Sequence, residues 1–261
     1  MGDERLQALG RFGPFFAVTQ IDDTDGQSAS EAGWLPLTAM VQDPGLLAGR
    51  IEAVRQALAR PMPGMVTSGV PAQVAVSVTQ LGLAARLVAV ALAAAVDRVS
   101  LPGAGLFFQD RLGPYPLGLL TYETELGSEV GWPDKLHDLA WPLTQLTVDG
   151  YGLSARVAWG NVASALASAV RMIVSVDGAA GARAELLAGR AFAIGELRGT
   201  GYVDDAGMFR RRSCCLIYRL ATDPVFCGDC VLAGRDRAGR AARSRAASGR
   251  KATQIVPQGN T

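Results

Sequence analysis

Apolar residues run almost unbroken from Val74 to Val96, interrupted by Gln80 and Arg86. The run is rich in Ala and Leu, which predicts a buried core helix over about 72–96. Its uninterrupted part is too short to cross a bilayer as a helix. A second strong helical pattern covers Ser154 to Val174, and a third about Ala182 to Phe192. Asp43-Pro44 is an N-cap followed by proline at the first helical position, so a further helix is expected from there to about Arg60. Between these helices lie punctuated stretches. Met62 to Pro71 reads as a Pro/Gly linker, and Leu101 to Leu120 as extended or looped chain rich in Gly, Pro and aromatics. Leu146 to Val148 reads as a short strand before a turn at Asp149-Gly150, and Leu197 to Asp205 as a Gly-rich loop. Leu216 to Leu220 reads as a short β-like run, the middle of a small hairpin.

Composition places the chain among globular proteins. Of 261 residues 49% are hydrophobic, enough for a sizeable core in one large domain or two modest ones. The N-terminus, Met1-Gly2-Asp3-Glu4-Arg5, has no apolar run behind it, so no secretory signal is expected. These readings point to a soluble cytoplasmic protein, able to sit peripherally at the inner face of the membrane, with no transmembrane segment. The net charge of +1 conceals an asymmetry. Residues 1–208 hold 14 Lys/Arg and 21 Asp/Glu, a balance of −7, whereas residues 209–261 hold 11 and 3, a balance of +8. Part of the excess lies in an Ala-Gly-Arg-Ser stretch from Gly234 to Lys251, which has few residues to bury and is expected to be a disordered tail.

The basic end also holds all four cysteines, Cys214, Cys215, Cys227 and Cys230. Four thiols make one complete ligand set for one metal centre. Cys227 and Cys230 have the spacing of a zinc-binding pair, but the adjacent Cys214-Cys215 pair is poor geometry for gripping a single zinc ion. A two-iron cluster is wider and accepts a less regular set, so we read a [2Fe–2S] centre, with zinc as the alternative. A Rieske centre or a Cys₂His₂ zinc site would need two histidines, and His137 is the only one. Disulfides would need an oxidising compartment. His137 itself, in Asp134-Lys135-Leu136-His137-Asp138, reads as a surface or capping residue. Asp22 to Gly26 lacks the flanking ligands of a calcium loop. Glu123, Glu125 and Glu129 read as a solvated acidic loop. Gly160 and Asn161, inside the 154–174 helix, read as packing positions, with a ligand-facing role as the alternative.

Two segments resemble a known family. Phe209-Arg210-Arg211-Arg212-Ser213-Cys214-Cys215-Leu216-Ile217-Tyr218-Arg219, followed by Cys227-Gly228-Asp229-Cys230-Val231-Leu232, is similar to the C-terminal signature of FhuF-like ferric-siderophore reductases. Trp159 to Leu166, Leu81 to Val96 and Trp34-Leu35-Pro36 resemble stretches of actinobacterial members, so the likeness extends over most of the chain to about Leu232. The eleven-residue gap between cysteine pairs is one longer than in the best-known member, a change a loop can absorb. The resemblance implies a [2Fe–2S] protein that passes one electron to Fe(III) held in a hydroxamate or catecholate siderophore, with Cys214, Cys215, Cys227 and Cys230 as cluster ligands. Fe(III) prefers anionic oxygen donors far more than Fe(II) does, so reduction frees the iron.

No G-x-G-x-x-G follows a strand, since Gly103-Ala104-Gly105 lacks the rest of the pattern. The electron is therefore expected from a separate donor such as a ferredoxin or a flavoprotein reductase. Arg210, Arg211, Arg212 and Arg219 flank the cysteines and are candidates to dock an anionic siderophore or an acidic donor, or to tune the potential. The expected architecture is mainly α (α+β): a helical body over 1–205, a small β-hairpin-like iron–sulfur module over 206–234, and an Arg-rich tail over 235–261. Two rival readings remain. One is an iron–sulfur redox sensor, a regulatory binding protein whose basic tail meets nucleic acid; no helix-turn-helix supports it, so nucleic acid is not the expected partner. The other is a siderophore-binding or biosynthetic protein with structural zinc.

Overall fold

The structure is a computed structural model that describes residues 2–21, 28–60, 69–101, 105–120, 131–221 and 226–232. The Gly234–Lys251 stretch, the acidic residues Glu123, Glu125 and Glu129, Asp22 to Gly26, Gly103-Ala104 and most of the 62–71 linker lie outside the described residues.

The described chain is mainly helical with small sheets. Along the chain come α1 (Gly2–Leu9), β1 (Thr19–Ile21), α2 (Ser28–Glu31), β2 (Leu35–Pro36), α3 (Ala39–Gln42), α4 (Pro44–Leu58) and α5 (Ala72–Val96). They are followed by β3 (Leu106–Phe108), β4 (Leu117–Leu120), α6 (Trp132–Tyr151), α7 (Ala155–Val176), α8 (Gly178–Phe192), β5 (Gly201–Val203) and β6 (Phe209–Arg211). The α4 helix begins as its sequence dictates, with the Asp43 side chain accepting from Gly45 N at 2.8 Å ahead of Pro44.

The α5 helix is the axis of the fold. It packs against α4, α6, α7 and α8, which is why its sequence has no polar face to spare. Its two longest polar side chains within the apolar run, Gln80 and Arg86, are both buried and both bonded. Arg86 donates from Nε to Tyr115 O at 3.0 Å, from Nη1 to Phe15 O at 2.6 Å, and from Nη2 to Ala17 O. One guanidinium thus pins the N-terminal segment and the β3–β4 connection to the central helix. Gln80 donates to Ala158 O at 3.3 Å and so ties α5 to α7. By length and composition α5 and α7 could each cross a membrane, but 78% and 67% of their most apolar windows are buried inside the fold.

The strands form a four-stranded sheet in the order β1-β4-β3-β2, parallel between β1 and β4 and antiparallel elsewhere. Phe108, Leu117 and Leu119 on its inner face join a core with Phe12, Phe16, Leu87, Val90, Trp132 and Leu166.

Three expectations are corrected. Residues 201–203, expected to belong to a Gly-rich loop, form strand β5. Residues 146–148 are not a strand; α6 runs straight through them to Tyr151. Their β-branched character is overridden by packing against the core and by the buried Thr147 hydroxyl, which donates back along the helix to Thr144 O at 2.8 Å. The turn comes later, at Gly152, whose φ of 64° is the left-handed conformation that ends helices. Leu216 to Leu220 is not a β-like run either. Leu216 has φ 70°, and Ile217–Leu220 is a 3₁₀ turn. The hairpin of this region lies just upstream instead, where β5 pairs with β6 across a turn organised by Asp204. Its side chain accepts from Ala206 N at 3.1 Å and Met208 N at 2.9 Å.

Candidate metal centre

The β5–β6 hairpin delivers the chain to the side of α7, and the two cysteine pairs follow. Arg211 N donates to Asp229 O at 3.0 Å, so the end of β6 is laced to the Cys227–Cys230 loop. That loop is a tight turn closed by Cys230 N to Cys227 O at 3.0 Å. Together these bonds bring residues 16 apart in sequence side by side: Cys214 Sγ and Cys230 Sγ are 3.9 Å apart. Cys215 lies within hydrogen-bonding reach of both Cys214 and Cys227. Cys215 and Cys230 are buried; Cys214 and Cys227 are half-buried, so the array has an inner and an outer side.

All four thiols are free. Crowding splits their acidities. Cys215 is pushed down because Cys214 and Cys227 donate to it, aided by Arg211 and by the Ile217 N–H. Cys214 and Cys227 are pushed up, first because each donates to Cys215 and then because burial penalises a second charge. Among Cys214, Cys215 and Cys227 a thiolate thus forms most readily at Cys215, one of the two buried sulfurs. Further ionisation needs a cation to share the charge, which is the condition under which metals displace thiol protons.

The surroundings are built for anionic sulfur. Leu216 N and Leu232 N each point at a sulfur, Cys214 Sγ and Cys230 Sγ, at 3.4 Å. Arg211 Nη2 donates to Cys227 Sγ at 2.9 Å. Arg211 Nε and Ser213 Oγ are buried polar atoms with no hydrogen-bond partner. Among the described residues no three Cys, His, Asp or Glu side chains converge on a point that one ion could occupy. Four free thiols in two adjoining pairs, ringed by donors with capacity left over, fit a group wider than a single zinc ion and carrying several sulfur acceptors.

Residues 211–232 match the family model of the FhuF 2Fe-2S C-terminal domain. The chain carries an FhuF-type [2Fe–2S] domain. Over those residues it is similar to the cluster-binding end of FhuF-type proteins. No curated protein matches the chain at a significant level.

Within the FhuF-type domain the four flanking arginines are not one patch. Arg211 is an interior residue, 1% exposed, and no docking partner can reach it. Burial pulls its pKa down, but Cys215, Asp229 and Cys227 outweigh that and the net shift is upward, so it stays a cation. Arg210 is held by Asp204 at 2.7 Å and by Gly228 O, and it staples the hairpin to the second cysteine loop. Arg212 and Arg219 are exposed, resting over the rings of Tyr202 and Tyr218 at 5.9 and 6.0 Å.

The domain is seated on α7 through the two residues left open between packing and ligand roles. A methyl group on Gly160 would lie 1.9 Å from Ser213 Oγ, so this glycine is the notch into which the chain before Cys214 fits. Asn161 accepts from Arg211 Nη1 at 2.9 Å. Ser164 Oγ donates to Asp229, which also faces Arg211 Nε at 3.6 Å. Asp229 and Ser164 were invisible as site residues in the sequence. The only available signal was an acid inside the Cys227–Cys230 loop, a position that becomes buried only once α7 covers it. His137 lies elsewhere, half-exposed on α6, stacked on Trp159 at 5.7 Å and bonded to Glu196 at 3.1 Å.

Proposed function

We propose that this protein is a ferric-siderophore reductase in which Cys214, Cys215, Cys227 and Cys230 hold the [2Fe–2S] cluster. The observation that carries the reading is the four-thiol array, free, ringed by hydrogen-bond donors and contained in an FhuF-type domain. When bound, the cluster supplies one-electron chemistry. The balance is simple: one electron enters from a ferredoxin or flavoprotein reductase, and one leaves to Fe(III) in a hydroxamate or catecholate siderophore, giving Fe(II). The weakened complex then lets iron go. The four free thiols suit the reducing cytoplasm, where released Fe(II) is useful.

This chain's own residues divide the work. Cys214 and Cys227 form the outer side of the array, where a partner comes close. Arg212 and Arg219 offer positive charge on the surface beside them, which attracts an anionic siderophore or an acidic donor. Arg210 fixes the two cysteine segments relative to each other. The test is anaerobic stopped-flow spectroscopy of the dithionite-reduced protein mixed with ferric siderophore. Reoxidation should rise with siderophore concentration; a rate no faster than in buffer refutes the reading.

A further inference from the structure

We infer that Arg211, held in place by Asn161, sets the reduction potential of the centre through a hydrogen bond to the Cys227 sulfur. The inference deepens the reading above and rests on its ligand assignment, though not on its substrate.

Arg211 is the largest fully buried side chain in the described structure. A buried guanidinium needs a purpose as well as partners, because its desolvation is costly. Its contacts sort into three. Nη2 donates to Cys227 Sγ at 2.9 Å, Nη1 donates to Asn161 Oδ1 at 2.9 Å, and Nε faces Asp229 at 3.6 Å, too far for a hydrogen bond. The geometry is that of a planar fork spread between a thiol and an amide, which a lysine could not reproduce.

The orientation of Asn161 is not arbitrary. Its amide nitrogen is surrounded by acceptors: Ser77 O at 3.1 Å, Ser77 Oγ at 3.1 Å and Gln80 Oε1 at 2.9 Å. Gln80 in turn is fixed because its own nitrogen donates to Ala158 O. With every acceptor on the nitrogen side, the Asn161 oxygen must face Arg211. A chain of buried bonds therefore runs from the central helix α5, through α7, to the guanidinium and on to the sulfur. Every link as far as the guanidinium is buried and shielded from water, and the last, to Cys227, is partly buried.

The consequence follows from charge. Reduction adds one negative charge, much of it felt at the sulfurs. A cationic donor already aimed at one of them bonds more strongly to the reduced form and raises the potential. Asp229 moderates this, since its carboxylate also faces the guanidinium. Asn161 touches no sulfur and acts only by positioning Arg211.

The experiment is a redox titration of the cluster-loaded full-length protein, followed by visible absorbance and EPR, with no siderophore present. In Arg211→Gln the ratio of reduced to oxidised protein at a fixed applied potential should fall about tenfold, the size expected for one hydrogen bond to a charged group and equal to a shift of about 59 mV for a one-electron couple. Asn161→Ala should shift the ratio in the same direction by less. The double variant should be no lower than Arg211→Gln alone, because Asn161 acts through the arginine. An unchanged potential in Arg211→Gln, or an Asn161→Ala shift that persists in full without the arginine, overturns the inference. If Arg211→Gln fails to take up a cluster, Asn161→Ala decides alone: a lowered potential supports the inference and an unchanged one overturns it. Failure of the ligand assignment looks different, since Cys227→Ser would then keep wild-type iron, sulfide and EPR signal.

Discussion

Gly160→Ala tests the seating of the iron–sulfur domain on the helical body. In an isolated helix the change would stabilise by about 1 kcal/mol, because glycine is a poor helix former. Here the new methyl would stand 1.9 Å from Ser213 Oγ and 3.2 Å from Ser213 Cβ. The hydroxyl could swing aside, but Ser213 is buried and leads directly into Cys214, so the rotation has little room. Overpacking of this kind costs about 1–3 kcal/mol, which cancels or outweighs the propensity gain and leaves a net loss of up to about 2 kcal/mol. Ser213→Ala removes the clashing atom, and since that hydroxyl has no partner, its loss should be nearly neutral. Gly160→Ala in the Ser213→Ala background should then fall within about 0.5 kcal/mol of neutral, a coupling of up to about 2 kcal/mol across the cycle. The assay is anaerobic urea denaturation, reading helical circular dichroism and the visible band together. In Gly160→Ala the visible band should be lost at lower urea than in wild type. If Gly160→Ala instead gains the full helix-propensity increment with Ser213 present, the domain does not sit where the structure puts it.

Other outcomes follow from the same contacts. Cys215→Ser should remove the visible cluster spectrum, because its sulfur touches both neighbouring thiols and no further cysteine exists to replace it; unchanged iron and sulfide counts would contradict this. Arg86→Met should destabilise by more than about 3 kcal/mol in thermal or urea unfolding, since three carbonyls lose the guanidinium that donates to them at once; a loss under about 1 kcal/mol would show that the N-terminal segment is not pinned to α5. Neutralising Arg212 and Arg219 together should slow reduction of an anionic ferric siderophore and flatten the dependence of the rate on salt, with a smaller effect on a neutral ferric hydroxamate. Equal slowing of both siderophores at every salt concentration would argue against electrostatic docking.

Local rules carried the long elements. Asp43-Pro44 marked the start of α4, and the apolar run with its flanking proline marked α5 from Ala72 to Val96. The cysteine spacing likewise disclosed a metal centre, because ligand number and pairing are properties of the sequence itself. What failed were short segments whose state is set by neighbours distant in the chain. Thr147 and Val148 favour a strand in isolation, yet the helix they belong to is held by its packing against α5 and α7. Leu216 adopts a left-handed backbone and leads into a 3₁₀ turn while its N–H serves a thiol, an arrangement no propensity encodes. The four arginines separate for a related reason. Consecutive residues on β6 and just beyond it point to opposite sides, so Arg211 enters the core while Arg212 meets solvent, and only the docking of the hairpin on α7 decides which is which.

The most direct measurement is a single-turnover iron count. Reduced wild-type protein, freed of excess reductant under anaerobic conditions, is mixed with a ferric siderophore and a ferrous-specific chelator. The account predicts one Fe(II) captured per cluster oxidised, on the same time course as the return of the oxidised visible spectrum, and none above background with Cys215→Ser. Cluster oxidation without matching Fe(II), or Fe(II) at the wild-type rate from the Cys215→Ser protein, would contradict it.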